Sequence, residues 1–376
     1  MPASITFFPT DDADTCRLDL SDGRKVLVDY ADMLNRKDPS DKRCDLPAEL
    51  KSDLAAYKRD YFDVVCFSHL DLDHVKGAGD FFWLEHAAAS QGAERIKIKE
   101  LWVPAAAVTE TSIDGDARLI RQEARYRLKA GKGIKVFSRP ECLKNLLADW
   151  GLTVAERAGC IVDAGAYVPG FSVSGPEKVQ FFVHSPFAWR RDGRDMEERN
   201  ADSIMFQATF SEGGAEVYGL FGADIDHETL SQIVQTSKRH KNEHRLQWDV
   251  LKLFHHCSYL SLSPEKGVDE TKPVPEVKWL FETQGREGCI IVSPSRPMPD
   301  KGSAEDKDVQ PPHRQAGNYY KRVVSSKSGD FKVTMESPSR NLPKPMKVEI
   351  TARGARLALA LPSAIGTATS TTTRAG

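Results

Sequence analysis

Short apolar runs, closed by Asp, Gly or Pro and set between longer amphipathic stretches, recur along this chain. Such runs predict buried strands, here over 5–8, 16–20, 25–28, 62–67, 96–103, 136–137, 160–162, 179–184, 204–210, 217–221, 248–254 and 289–293. The segments 16–20 and 25–28 flank Ser21-Asp22-Gly23-Arg24, a hairpin pattern. A terminal hairpin is expected from 331–335 and 348–351. Helical periodicity places Leu46, Leu50, Leu54 and Tyr57 on one face of a surface helix within 37–58. Further helices are expected over 80–89, 117–129, 143–150 and 228–235 and from His313 onward, with Asp226 capping the 228–235 helix. Strands alternating with helices predict an α/β fold.

Candidate chemistry concentrates where the 62–67 strand ends. His69, Asp71, Asp73 and His74 are four metal-capable side chains within six residues. At a strand exit, positions i and i+2 point the same way, and a turn into a helix swings the next two to a second point. Each of two neighbouring ions is thereby offered an imidazole and a carboxylate, as a two-metal hydrolytic site requires. A polar strand end leading into an Asp-capped helix is the simpler alternative, but it gives no reason for so dense a set of ligand types. Later, the 217–221 strand ends in Gly222-Ala223-Asp224, and the 248–254 strand delivers His255-His256-Cys257-Ser258.

His-x-Asp-x-Asp-His after a buried strand resembles the metal-binding signature of the metallo-β-lactamase fold, usually His-x-His-x-Asp-His. With Asp71 in the variant position, it is similar to the subgroup containing the hydrolase domain of bacterial competence DNA-uptake channels. That subgroup's strand-His-His-Gly-Ser segment resembles 248–258, with Cys257 replacing Gly. The likeness covers residues 5–325 and implies a four-layer αβ/βα sandwich. It implies one domain over 1–360, with insertions near 37–60, 110–150 and 295–312, and a Thr/Ser/Ala/Gly-rich, disordered tail at 361–376.

The resemblance also implies a ligand set. His69, Asp71 and a bridging Asp224 would hold one ion; Asp73, His74, Asp224 and His255 would hold the second. His255 is preferred as ligand, and His256 is left to hydrogen-bond substrate. The family's middle histidine has no clear counterpart, and His184 is the strand-associated candidate for it. Oxygen-rich sites suit Mn²⁺ better than all-imidazole zinc sites do, so one or two divalent ions, Zn²⁺ or Mn²⁺, are expected. Asp14 and Asp29 would point toward the metal end, with Asp29 orienting a ligand; a strand-terminal turn residue is the plain alternative for Asp29. Cys257 is either a reactive thiol or a small buried filler.

By the same likeness the expected activity is hydrolysis of a phosphodiester, in nucleic acid or a nucleotide, through a metal-activated hydroxide. Asp71 or Asp73 would orient that hydroxide, and His313 or His256 would stabilise the leaving oxygen. An ordinary surface histidine is the alternative for His313. Arg121 and Arg125, with Arg190 and Arg191, lie in two arginine-rich stretches that either fork onto phosphate or form solvated faces. Relatives of such centres act on other esters, so a small-ester or lactone hydrolase and a metal-binding scaffold with little activity stay open.

Composition narrows this picture. The 52 Lys and Arg against 54 Asp and Glu give a net charge of −2, which excludes bulk attraction to polyanions. Any phosphate binding must therefore be local. The 7 cysteines are scattered, without a Cys-x-x-Cys pair, and suit free thiols in a reducing cytoplasm. Neither a signal-type N-terminus nor an apolar run of membrane-span length is visible, so a cytoplasmic protein with no membrane partner is expected.

Overall fold

Two mixed β-sheets lie face to face, each covered on its outer side by helices. This computed structural model describes residues 2–189 and 199–358; Arg190, Arg191 and the 361–376 tail lie outside the described residues. In the first sheet, β1 (Ser4–Phe7), β2 (Cys16–Asp19) and β3 (Lys25–Val28) form an antiparallel meander. The chain then passes through α1 (Leu46–Ala56) to β4 (Tyr61–Cys66), which runs parallel to β3. Next come α2 (Leu72–Val75), α3 (Ala78–Phe81), β5 (Phe82–Trp83), β6 (Ile96–Pro104), α4 (Ala105–Thr109), α5 (Gly115–Ala130), β7 (Ile134–Phe137), α6 (Glu141–Asp149) and β8 (Ile161–Val162).

The second sheet opens with β9 (Val179–Ser185), β10 (Met205–Glu212) and β11 (Ala215–Phe221), all antiparallel. Helix α7 (His227–Arg239) leads to β12 (Trp248–Lys252), α8 (Pro275–Gln284) to β13 (Gly285–Ser293), and α9 (Arg314–Ser325) to β14 (Asp330–Val333). These three strands continue the sheet in parallel from β11. The chain returns through β15 (Met346–Thr351) and β16 (Gly354–Leu357), with β15 antiparallel to β1. The strand orders are β16-β15-β1-β2-β3-β4-β6-β7-β8, with β5 beside β6, and β14-β13-β12-β11-β10-β9.

Three apolar layers separate four layers of secondary structure. Between the sheets, fully buried Trp102 of β6 meets Phe137, Phe171, Phe181 and Phe206 edge to face, a geometry that adds about 0.5–1.5 kcal/mol per pair beyond area burial. On the outer side of the first sheet, α1 buries Leu46, Leu50 and Leu54, and α5 buries Ile120, Ala124 and Leu128. On the other outer side, Leu230, Ile233 and Val234 of α7 pack with Leu280, Phe281, Tyr319 and Tyr320. Asp226 accepts the Thr229 amide at 2.7 Å and caps α7.

The architecture is thus an α/β sandwich, and several expectations change in detail. The 37–58 helix is no surface addition, because its leucines are core, although Tyr57 is exposed. The helix expected over 80–89 stops at Phe81, and the chain straightens into β5 because Phe82 pairs beside β6. The expected 331–335/348–351 hairpin does not form: β14 pairs with β13 in the second sheet and β15 with β1 in the first, so the two segments lie in different sheets. Among the described residues, no helix is long and apolar enough to cross a membrane. All seven cysteines are free thiols.

Candidate metal centre

Parallel pairing puts the carboxyl ends of β3 and β4 side by side, and likewise those of β11 and β12. Loops leaving such ends are where open α/β sheets gather their chemistry. Past β4, Ser68 and His69 are buried, Asp71 precedes α2, and Asp73 and His74 occupy that short helix. The turn is pinned from below. Asp29, at the end of β3, accepts the Ser68 amide at 2.7 Å and the Ser68 hydroxyl at 2.7 Å. Its Oδ2 also lies 3.0 Å from His74 Nδ1. The Tyr30 and Asp14 amides donate to the carbonyls of His74 and Asp73.

From the second sheet, β11 ends at Phe221, and the turn through Gly222 and Ala223 presents Asp224; a Cβ on Gly222 would sit 2.5 Å from the Phe254 ring. Beyond β12 the chain makes a left-handed turn, with φ of 47° at His255, 49° at His256 and 67° at Cys257. L-residues adopt this region at a cost. Here it aims His256 Nε2 to 3.1 Å from Asp73 Oδ2 and 3.5 Å from Asp224 Oδ1. His74 Nε2 is 3.4 Å from the same Asp224 oxygen. One atom each from Asp73, His74, Asp224 and His256 lie within 4.8 Å of one another. A scan against known protein-family models finds no match, and a search of curated proteins finds none either.

The donor set fits a divalent cation. His74 Nε2 and Asp224 Oδ1 are buried without a hydrogen-bond partner, and two imidazoles with two carboxylates suit zinc or manganese. The ring orientations are fixed from behind. His256 Nδ1 lies 2.9 Å from the Pro294 carbonyl, an acceptor only, so Nδ1 donates there and Nε2 is the ring atom turned toward the carboxylates. Burial alone would depress His74 and His256, but the carboxylates of Asp29, Asp73 and Asp224 around His74, and of Asp224 and Asp73 around His256, hold both well above the usual imidazole range. Burial works against the charge on Asp73, yet His74 and His256 keep it at about 2.

His256, not the expected His255, therefore completes the four-residue group. His255 Nε2 lies 3.9 Å from the other oxygen of Asp224. Asp71 is not in the group either: its Oδ2 is 3.6 Å from His69 Nε2, and its Oδ1 is 2.7 Å from Arg199 Nη1. Burial, then the neighbouring His74, push the His69 imidazole down to about 4. His184 is remote from the cluster in its contacts: it is buried with Nε2 2.8 Å from the Arg245 carbonyl. His313 is buried rather than superficial. Its Nδ1 accepts the Tyr259 amide at 3.3 Å, and burial holds it down at about 4, so it is neutral and not poised as an acid near neutral pH. Burial pushes the Cys257 thiol up, which makes it a filler rather than a nucleophile.

The arginines are also reassigned. Arg121 donates to the carbonyls of Glu110 at 2.8 Å and Thr111 at 2.9 Å, and Arg125 donates to that of Val108 at 2.7 Å. Both neutralise the carbonyl-rich end of α4 rather than presenting a phosphate site. Asp14 does reach the centre, where its carboxylate pairs with fully buried Lys252. Lys252 was not anticipated; a lone cation inside the apolar run 248–254 was the signal for it. Burial would strip its proton, but Asp14 holds it charged.

Proposed function

We propose that this chain is a metal-dependent hydrolase whose centre comprises Asp73, His74, Asp224 and His256. One observation carries the reading: ligand atoms from strand ends of both sheets converge within 4.8 Å, and two of them have no hydrogen-bond partner. A buried polar atom left unpaired costs about 1–3 kcal/mol, so a convergent pair of them calls for a cation. A divalent ion supplies Lewis acidity and a lowered pKa for water.

The chain's own residues prepare the site for that chemistry. Asp29 and the Pro294 carbonyl fix the two rings with Nε2 inward, while Lys252 offsets the charge of Asp14. Substrate would approach over Asp71 and Arg199, beside which lie two cavities of about 480 and 510 Å³.

A phosphodiester is the substrate class that the motif likeness favours. A small neutral ester or lactone is the second reading, and a specific feature supports it. The larger cavity is walled by Asp71, Glu110, Asp226 and Glu228 against the cation of Arg199, and an acidic wall repels a polyanion. The test is turnover of bis-p-nitrophenyl phosphate, a lactone and nitrocefin with Zn²⁺ or Mn²⁺, with Asp224→Ala as control. Phosphodiester turnover lost in the variant supports the first reading, and lactone turnover alone the second. Bound metal with no turnover would leave a metal-binding scaffold.

A further inference from the structure

Resting on that metal-centre reading, we propose that the Arg199 guanidinium is a built-in cation standing in for a second metal ion beside Asp71. The centre would then hold a single divalent ion, at Asp73, His74, Asp224 and His256. A two-ion centre on this scaffold would need His69 and Asp71 as ligands of the other ion. Asp71 Oδ1 instead accepts from Arg199 Nη1 at 2.7 Å, while its far oxygen faces His69 at 3.6 Å. Among the described residues, His69, Asp71 and His255 form no three-ligand group close enough to hold an ion, whereas the other four do.

Arg199 is held in this position by design of its surroundings. The rest of its fork is taken by Glu110, with Nε 2.9 and 3.0 Å from the two carboxylate oxygens. Glu110 is buried, and its main chain is fixed in turn: its carbonyl takes Arg121 at 2.8 Å, and its amide bonds to Ala106. On the other side, the Ser203 hydroxyl bonds to the Asn200 carbonyl at 2.7 Å, and the Ile204 amide bonds to the Ser68 carbonyl at 3.0 Å. The residues that follow Arg199 are thus tied to the same strand exit that carries His69 and Asp71. A planar guanidinium gripping two carboxylates is a strong, directional arrangement. A dication at Asp71 would have to displace it or stand against its charge.

The experiment is metal content per folded chain after saturation with Zn²⁺ or Mn²⁺ and desalting, read by mass spectrometry. The wild-type chain is expected to hold one ion, and Asp71→Asn to hold one as well. Arg199→Met is expected to gain a second ion, and to lose it again when Asp71→Asn is added. Two ions in the wild-type chain would overturn the inference while leaving the hydrolase reading intact. One ion in Arg199→Met, with circular dichroism unchanged, would also overturn it. No ion in the wild-type chain would instead remove the metal centre itself, and this inference with it.

Discussion

Asp29 and His74, 45 positions apart, meet at 3.0 Å with both side chains sealed from solvent. Asp29 holds this contact from a left-handed backbone with φ of 57°, a conformation Asn tolerates as well as Asp does. Asp29→Asn therefore keeps the shape and removes the charge behind the ring. Losing such a partner typically weakens a metal ligand by about 10–100-fold. Chelator competition should show that loss, and an affinity unchanged within about twofold would deny Asp29 its orienting role.

The left-handed turn at His255, His256 and Cys257 yields a second expectation. Left-handed backbone costs an L-residue roughly 1–2 kcal/mol, and glycine escapes that cost. Cys257→Gly also deletes a buried side chain worth about 1 kcal/mol, so the two effects nearly offset. Cys257→Val, β-branched at φ of 67°, adds strain and should lower stability by more than about 1 kcal/mol. Denaturant titration of the three proteins decides it; a Val variant as stable as wild type would refute the strain argument.

How much of this was legible in advance depended on distance along the chain. The turn from His69 to His74 could be read because a buried strand and its ligands are contiguous. Asp224 could be picked out at a strand tip, since strand ends are marked by pattern. The choice between His255 and His256 could not, because three consecutive positive φ values reverse where adjacent side chains aim. Arg121 and Arg125 looked like free cations because their carbonyl partners belong to a short helix that the pattern did not reveal. The late hairpin failed for a similar reason: 331–335 and 348–351 each alternate well, and only tertiary pairing assigns them to different sheets.

His184 makes stability depend on pH. Burial holds its imidazole at about 4, below the ordinary histidine value of 6.5. The unfolded chain therefore binds more protons in the window between these values, and this contribution to stability is complete above pH 6.5 and lost as pH falls toward 4. At about 1.4 kcal/mol per pH unit, the total is at most about 3 kcal/mol. Between pH 7 and pH 5, the wild-type chain should lose more stability than His184→Gln, by up to about 2 kcal/mol. Equal losses in urea titrations would contradict the assignment.

Arg127 is a buried cation on α5, with Nε 2.6 Å from Glu123 and further bonds to the carbonyls of Ile98, Lys99 and Gly133. Glu123 is itself fully buried. Arg127→Met leaves that carboxylate only the His86 amide and ring as partners, without the guanidinium's charge, and should cost about 3–5 kcal/mol. Adding Glu123→Gln should recover part of the loss, because the uncompensated charge goes with it. A double variant less stable than the single one would show that the carbonyl bonds, and not the ion pair, dominate.

Neither sheet owns the candidate centre. Asp73 and His74 ride on the first, Asp224 and His256 on the second, and each half supplies only two of these four side chains. An ion bound there would act as a clasp across the seam, sensitive to sub-ångström sliding that greasy side chains could absorb. Metal affinity would then serve as a gauge of how well the two halves are docked, and substitutions deep in the seam, around Trp102, should register in it before they register in the melting temperature.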